Sequence, residues 1–219
     1  NKNTDGASVV DNTIENTNAN GGGSGQNGNA INIFRAANVI VRGNQIKKTA
    51  FSAVRGNAAS QIQIAENNCT DIGEVALYAE FDFENAVISG NTVDGAALGI
   101  AVTNFKPGGR LATVQGNVLR HITHERPKGT DPNDGYGIGI GVEADTAVTG
   151  NVIENASRIG ITVGSGQYLR DCTVTGNVIR SVPTGIAVSV APGAGAAVIS
   201  QNLITGARRG AIVGMEWQK

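Results

Sequence analysis

Leucine, aromatic residues and sulfur are all scarce in this chain: 219 residues hold 6 Leu, 5 Phe, 3 Tyr, one Trp, one Met and two Cys. Leu and Met are strong helix formers, and their rarity beside 22 Val and 21 Ile argues against a fold of packed helices. A charge excess is missing too. The 17 basic and 18 acidic residues leave a net charge of -1, which removes the electrostatic footprint of a general nucleic-acid binder. Long apolar runs are absent: uncharged stretches such as residues 181–201 are broken by Pro183, Pro192 and several Gly, so none reads as a transmembrane helix. The first residues carry no charged-then-apolar leader, so any export signal is expected to lie outside this sequence.

What is abundant is equally directional. The chain has 31 Gly and 23 Asn, residues that suit tight corners and left-handed backbone, while Val and Ile suit a pleated surface. Many short strands joined by tight turns are expected, and the order in the sequence turns that expectation into an architecture.

A pattern of apolar, any, small or polar, Asn, any, apolar recurs along the chain. It is clearest at Val41 to Ile46, Ile88 to Val93, Val114 to Leu119, Val148 to Ile153 and Val174 to Ile179, with looser copies at Asn12, Asn67 and Asn202. The eight Asn are spaced by 32, 23, 24, 26, 34, 26 and 25 residues. A second strand with alternating apolar positions follows each Asn, as at Ile100 and Val102 or Ile161 and Val163, usually led by Gly (Gly99, Gly160, Gly185, Gly210). Units of this length without a helix cannot be βαβ crossovers or propeller blades. The spacing predicts an all-β fold, a single-stranded right-handed parallel β-helix (solenoid) of about eight coils with 23–26 residues per coil. Residues 1–219 form one β-helix domain in this reading, and with no cap evident at either end a fragment of a longer chain is expected. Cys69 and Cys172 take inward slots about four coils apart, roughly 19 Å, which predicts two free buried thiols. The Asn row is read as a corner ladder that satisfies main-chain groups, and the Gly-rich run at 137–141 as scaffold, since no helix follows it.

These Gly-Asn-x-apolar coils resemble the pectin-lyase-like superfamily, and within it they are similar to uncharacterised twin-arginine-exported repeat proteins of α-proteobacteria. The resemblance implies export to the periplasm or cell surface. It also implies an acidic polysaccharide as ligand, for a lyase, hydrolase or epimerase or for a noncatalytic adhesin. Known catalytic signatures of that superfamily are missing. There is no Asn-Thr-Asp, Asp-Asp, Gly-His-Gly and Arg-Ile-Lys series of the polygalacturonases, and the Asp131-Pro132-Asn133-Asp134 stretch resembles that of alginate epimerases but has Asn133 in place of their His. Asn cannot exchange a proton at neutral pH, so epimerase chemistry does not carry over.

Two places on the solenoid gather polar side chains. Insertions at 18–29 and 124–136 fall at the same phase of the coil, and the second brings His124, Tyr136 and several charged residues to one loop. Aligning the coils places Glu80, Asp82 and Glu84, then Lys106 and Arg110, then Glu143 and Asp145, in the turns after successive Gly-led strands. Stacked rows of this kind would hold carboxylates roughly 10 Å apart, near the upper range of ~6.5–9.5 Å for an inverting pair, with a basic group between to hold a sugar carboxylate. The substrate-binding set expected from the sequence is therefore Glu80, Asp82, Lys106, Arg110, Glu143, Asp145, His124 and Tyr136. No catalytic residue is assigned, and whether the protein is an enzyme stays open. No cofactor or metal is expected: Ca²⁺ is an ion that the Asp-rich loop could take, but the loop lacks EF-hand spacing. The partner expected is a polysaccharide, with no nucleic acid and no membrane insertion. The competing reading is a noncatalytic structural or surface-interaction scaffold.

Overall fold

Val and Ile alternate with polar residues through stretches of three to six residues, and each stretch ends where the chain needs a left-handed residue. The structure, a computed structural model describing residues 5–21, 27–103, 110–131 and 134–216, realises this as a single-stranded right-handed parallel β-helix. Each coil carries three strands. The strand before the repeat Asn belongs to a first ladder of eight parallel strands, from Ser8–Val10 to Ala197–Ser200. The strand after the Asn forms a second ladder, from Thr13–Thr17 to Leu203–Thr205, and the Gly-led strand a third, from Ile31–Phe34 to Gly210–Met215. The long strands Asn68–Glu80 and Thr92–Thr103 run through both of the latter ladders and merge them into one sheet. Eight rungs give seven full turns between the first and the last. Among the described residues the one helix is a short 3₁₀ turn at Gly166–Tyr168.

The core is a set of stacked columns. Val41, Ile64, Ile88, Val114, Val148 and Val174 follow one another in register inside the first ladder. In the third ladder Val54, Leu77, Ile100, Ile140, Ile161 and Ile186 do the same. All are essentially without solvent contact, and burying each such side chain contributes about 1.5–3 kcal/mol. Cys69, between Ile46 and Val93 of the second ladder, and Cys172, stacked on Ala197 in the first, are free buried thiols, as the repeat predicts, and burial pushes them up to about 12 and about 11.

Two backbone requirements explain the sequence repeat. The residue before each Asn has a left-handed backbone: Gly43, Gly90, Gly116, Gly150 and Gly176 have φ between 63° and 67°, and Asp11, Glu66 and Gln201 take the same place in the looser coils. Only Gly adopts that conformation without cost, which is why Gly-Asn marks the corner. The Gly that leads the third strand has a different reason. A Cβ on Gly99, Gly139, Gly160 or Gly185 would lie 2.4–2.6 Å from the main-chain oxygen of the residue stacked on it, namely Gly139, Gly160, Gly185 and Ala211. The column closes on Ala211; Gly210 pairs with Thr184 and sits outside it.

At the corner, each Asn side-chain amide donates to the carboxamide oxygen of the next coil's Asn at 2.9–3.0 Å, unbroken from Asn12 to Asn202. The same oxygens accept main-chain N–H groups, as from Asn91 to Asn117 Oδ1 at 3.0 Å. The Asn row is thus structural, because it pairs polar groups that the stacked corner hides from water.

Candidate functional site

Outward positions of the third ladder are unusual for a solvated face. Val75, Leu98, Ala101 and Ile138 form a small apolar cluster outside the main core, with Tyr78 and Ile159 packed on it. The longer insertion leaves the fifth coil after Ile122 and folds back over this face. His124 donates its main-chain N–H to Ala96 O at 3.1 Å, and Gly137 donates to Ala97 O at 2.6 Å. Between insertion and ladder runs a groove of about 370 Å³. Leu98, Ala101 and Ile138 lie along its floor, Tyr78 and Phe81 at one end, and Arg126, Asp134, Glu143 and Thr162 among its polar lining.

Behind the groove lies a buried charge network. Glu74, almost fully buried, receives hydrogen bonds from Ser52 Oγ (3.1 Å, at Oε2) and Arg126 Nη1 (3.2 Å, at Oε1). Arg126 also donates from Nε to Gly135 O at 2.8 Å and holds Asp134 Oδ2 at 3.4 Å. One coil away, Arg55 grips Glu80 with both Nε (2.6 Å) and Nη2 (3.0 Å), and Asn57 Nδ2 donates to the same carboxylate at 2.7 Å. The Arg55 guanidinium lies 5.1 Å from the centre of the Tyr78 ring, and its Nη1 stands 3.7 Å from Glu74 without a hydrogen bond. Desolvation outweighs the nearby arginines at Glu74 and raises its pKa above the ordinary carboxylate range; it raises Asp134 as well. Burial alone would lower the Arg55 pKa, yet the hydrogen bond and charge of Glu80 carry it upward.

The residues singled out from the sequence do not form one continuous row. Glu80 points back to Arg55 of the preceding coil, while Asp145 pairs forward with Arg170, whose Nη2 lies 2.7 Å from Asp145 Oδ2. Asp82 is exposed on a left-handed turn with Phe81. Arg110 starts a first-ladder strand and lines a shallow depression with Leu111 and Asp145 on that sheet's outer face, away from the groove. Glu143 lines the groove. Tyr136 lies in the insertion with Arg158 stacked 5.1 Å above its ring, and the His124 ring packs on Gly95, its Nδ1 3.3 Å from Ile72 O. Lys106 and Phe105 lie outside the described residues, as do residues 22–26 of the 18–29 insertion. Phe83, one of the aromatic residues of these turns, is fully buried.

Sequence reasoning missed Arg55, Glu74 and Tyr78 as site residues. Their signal was present in part, since Arg55 and Glu80 fall at outward positions one coil apart and Glu74 interrupts an apolar run. That insertion residues Arg126 and Asp134 meet them could not be read from spacing.

No protein-family model matches this chain, and no curated protein matches it in sequence. Among solved structures it is similar to a variant of the tailspike protein of E. coli bacteriophage HK620, with TM-score 0.54 and 11% identity over 94% of this chain and 48% of that one. A second variant of that tailspike, in complex with a pentasaccharide, matches with TM-score 0.50 and 11% identity over 94% of this chain and 49% of that one. The chain thus spans about half the length of the solved structures it matches, and at this identity the likeness establishes the shared β-helix fold.

Proposed function

We propose that this protein binds a polysaccharide along the outer face of its third ladder, in the groove bordered by Arg126, Asp134 and Gly135 of the insertion. The observation that carries the reading is the groove's composition: an apolar floor with Tyr78 and Phe81 for the faces of sugar rings, and carboxylate, hydroxyl and guanidinium groups along its sides for sugar hydroxyls. The pentasaccharide complex of a tailspike with the same coil architecture supports it. A polysaccharide ligand also fits a protein exported to the periplasm or cell surface. The acidic form of this ligand, expected from the sequence, leans on Lys106 and Arg110, of which Arg110 lines a separate depression on the first ladder.

Asp134 and Glu143 are the groove's carboxyl groups, and either turnover or plain recognition is compatible with them. Ion pairing of Asp134 with Arg126 favours recognition without turnover. The test is incubation with a polysaccharide panel, following binding by calorimetry and turnover by reducing ends and unsaturated-product absorbance. Binding that disappears in Tyr78→Ala supports the site. Undiminished binding in that variant removes it, and product formation would make the protein an enzyme.

A further inference from the structure

Arg126, which lines the groove, and Arg55, which lies behind it, are both paired with carboxylates. Recognition of a sugar carboxylate is best made by a guanidinium presenting two parallel N–H groups. Arg55 spends that fork on Glu80, at 2.6 and 3.0 Å, and its remaining Nη1 faces Glu74 at 3.7 Å. Arg126 spends Nε on Gly135 O and Nη1 on Glu74 and Asp134. Two guanidinium groups therefore meet three carboxyl groups, Glu74, Glu80 and Asp134, which leaves the network without surplus positive charge. Among the described residues of the groove, an entering carboxylate would lose water, face Asp134 and Glu143, and find in Arg126 a guanidinium already paired, which is unfavourable. Sugar hydroxyls meet the opposite situation, with Thr103, Thr162 and Ser165 and the carboxyl oxygens of Asp134 and Glu143 along the walls.

We propose that the groove selects uncharged sugars and rejects uronic acids, because Arg126 is committed to Glu74 and Asp134 and the lining carries two carboxyl groups, Asp134 and Glu143. This inference rests on the polysaccharide-binding reading above and narrows its substrate class.

The test is calorimetric titration of the protein at pH 7 with two length-matched sets. One holds neutral oligosaccharides of glucose, galactose and N-acetylglucosamine; the other holds oligogalacturonate, oligomannuronate and oligoguluronate. The expected result is that the best neutral ligand binds at least ~10-fold more tightly than any uronate, about 1.4 kcal/mol. In Asp134→Asn the gap should narrow severalfold through stronger uronate binding, since Arg126 is then paired with one carboxylate fewer and the groove carries one negative charge fewer. A uronate preference overturns the inference while leaving the polysaccharide reading intact, and its loss in Lys106→Ala would trace it to that lysine. Absence of binding by every member of both sets overturns the polysaccharide reading and this inference together.

Discussion

Arg126 Nη1 lies 3.2 Å from Glu74 Oε1, a contact between residues 52 apart in sequence that fastens the insertion of the fifth coil to the strand of the third. Both side chains are about nine-tenths buried or more, so the pair acts where water does not screen it. It fixes the wall of the groove, and the groove depends on it.

Arg126→Ala is therefore expected to loosen residues 123–137 without unwinding the coils. Removing one partner of a buried pair costs about 3 kcal/mol. Limited proteolysis should cut the variant within the insertion before any other place, and groove ligands should lose at least ~10-fold in affinity, about 1.4 kcal/mol. Arg126→Lys keeps the charge but not the Nε bond to Gly135 and should fall between. Parent-like proteolysis of the Ala variant would refute the fastening role.

Asn117 occupies the middle of the corner ladder. Its Oδ1 accepts from the main chain and the side chain of Asn91, and its Nδ2 donates to Ile88 O and Asn151 Oδ1. Asn117→Ala leaves several buried groups unpaired at about 1–3 kcal/mol each. A loss of about 3 kcal/mol or more is expected, read as a fall in Tm of about 6–12 °C. A fall below about 2 °C would mean that the ladder is decorative.

Gly160 tests the second backbone requirement. An added Cβ would meet Gly185 O at 2.6 Å and Ile179 Cγ2 at 2.5 Å, on neighbouring coils. Overpacking of this kind costs about 1–3 kcal/mol, so Gly160→Ala should melt lower. At Gly150, where a Cβ meets nothing within 4 Å but φ is 63°, Gly150→Ala should also be destabilising, through backbone strain alone. Gly150→Asn, which tolerates that conformation, should recover part of the loss, whereas Gly160→Asn should recover none.

Acid titration probes the outer face of the second ladder. Partial burial would raise the Asp94 pKa, but hydrogen bonds from His121 and Arg120, both at 2.7 Å, hold it below the ordinary range. A depressed folded-state pKa stabilises above the unfolded-chain value of about 3.9, and that stabilisation disappears as pH falls through the folded value. Asp94→Asn should therefore melt lower than the parent at pH 7, and the two should converge in strong acid. The pair is substantially exposed, so the difference at pH 7 should stay within about 4 °C. A gap that widens on acidification would contradict the assignment.

The sequence alone determined the scaffold. Spacing between Asn residues set the coil length, alternation of Val and Ile set the inward columns, and the Gly before five of the eight Asn followed from a left-handed corner, because these are local requirements repeated from coil to coil. The same repetition made the buried thiols Cys69 and Cys172 legible. Tertiary structure decided the site. Glu80 and Asp145, placed by alignment in one row of turns, pair with Arg55 and Arg170 on opposite sides along the axis. Arg126 reaches Glu74 because an insertion without periodicity folds back across two coils. Coil phase fixes where a side chain leaves the solenoid, but the partner it finds depends on stacking register and loop path, and neither is encoded within a single repeat.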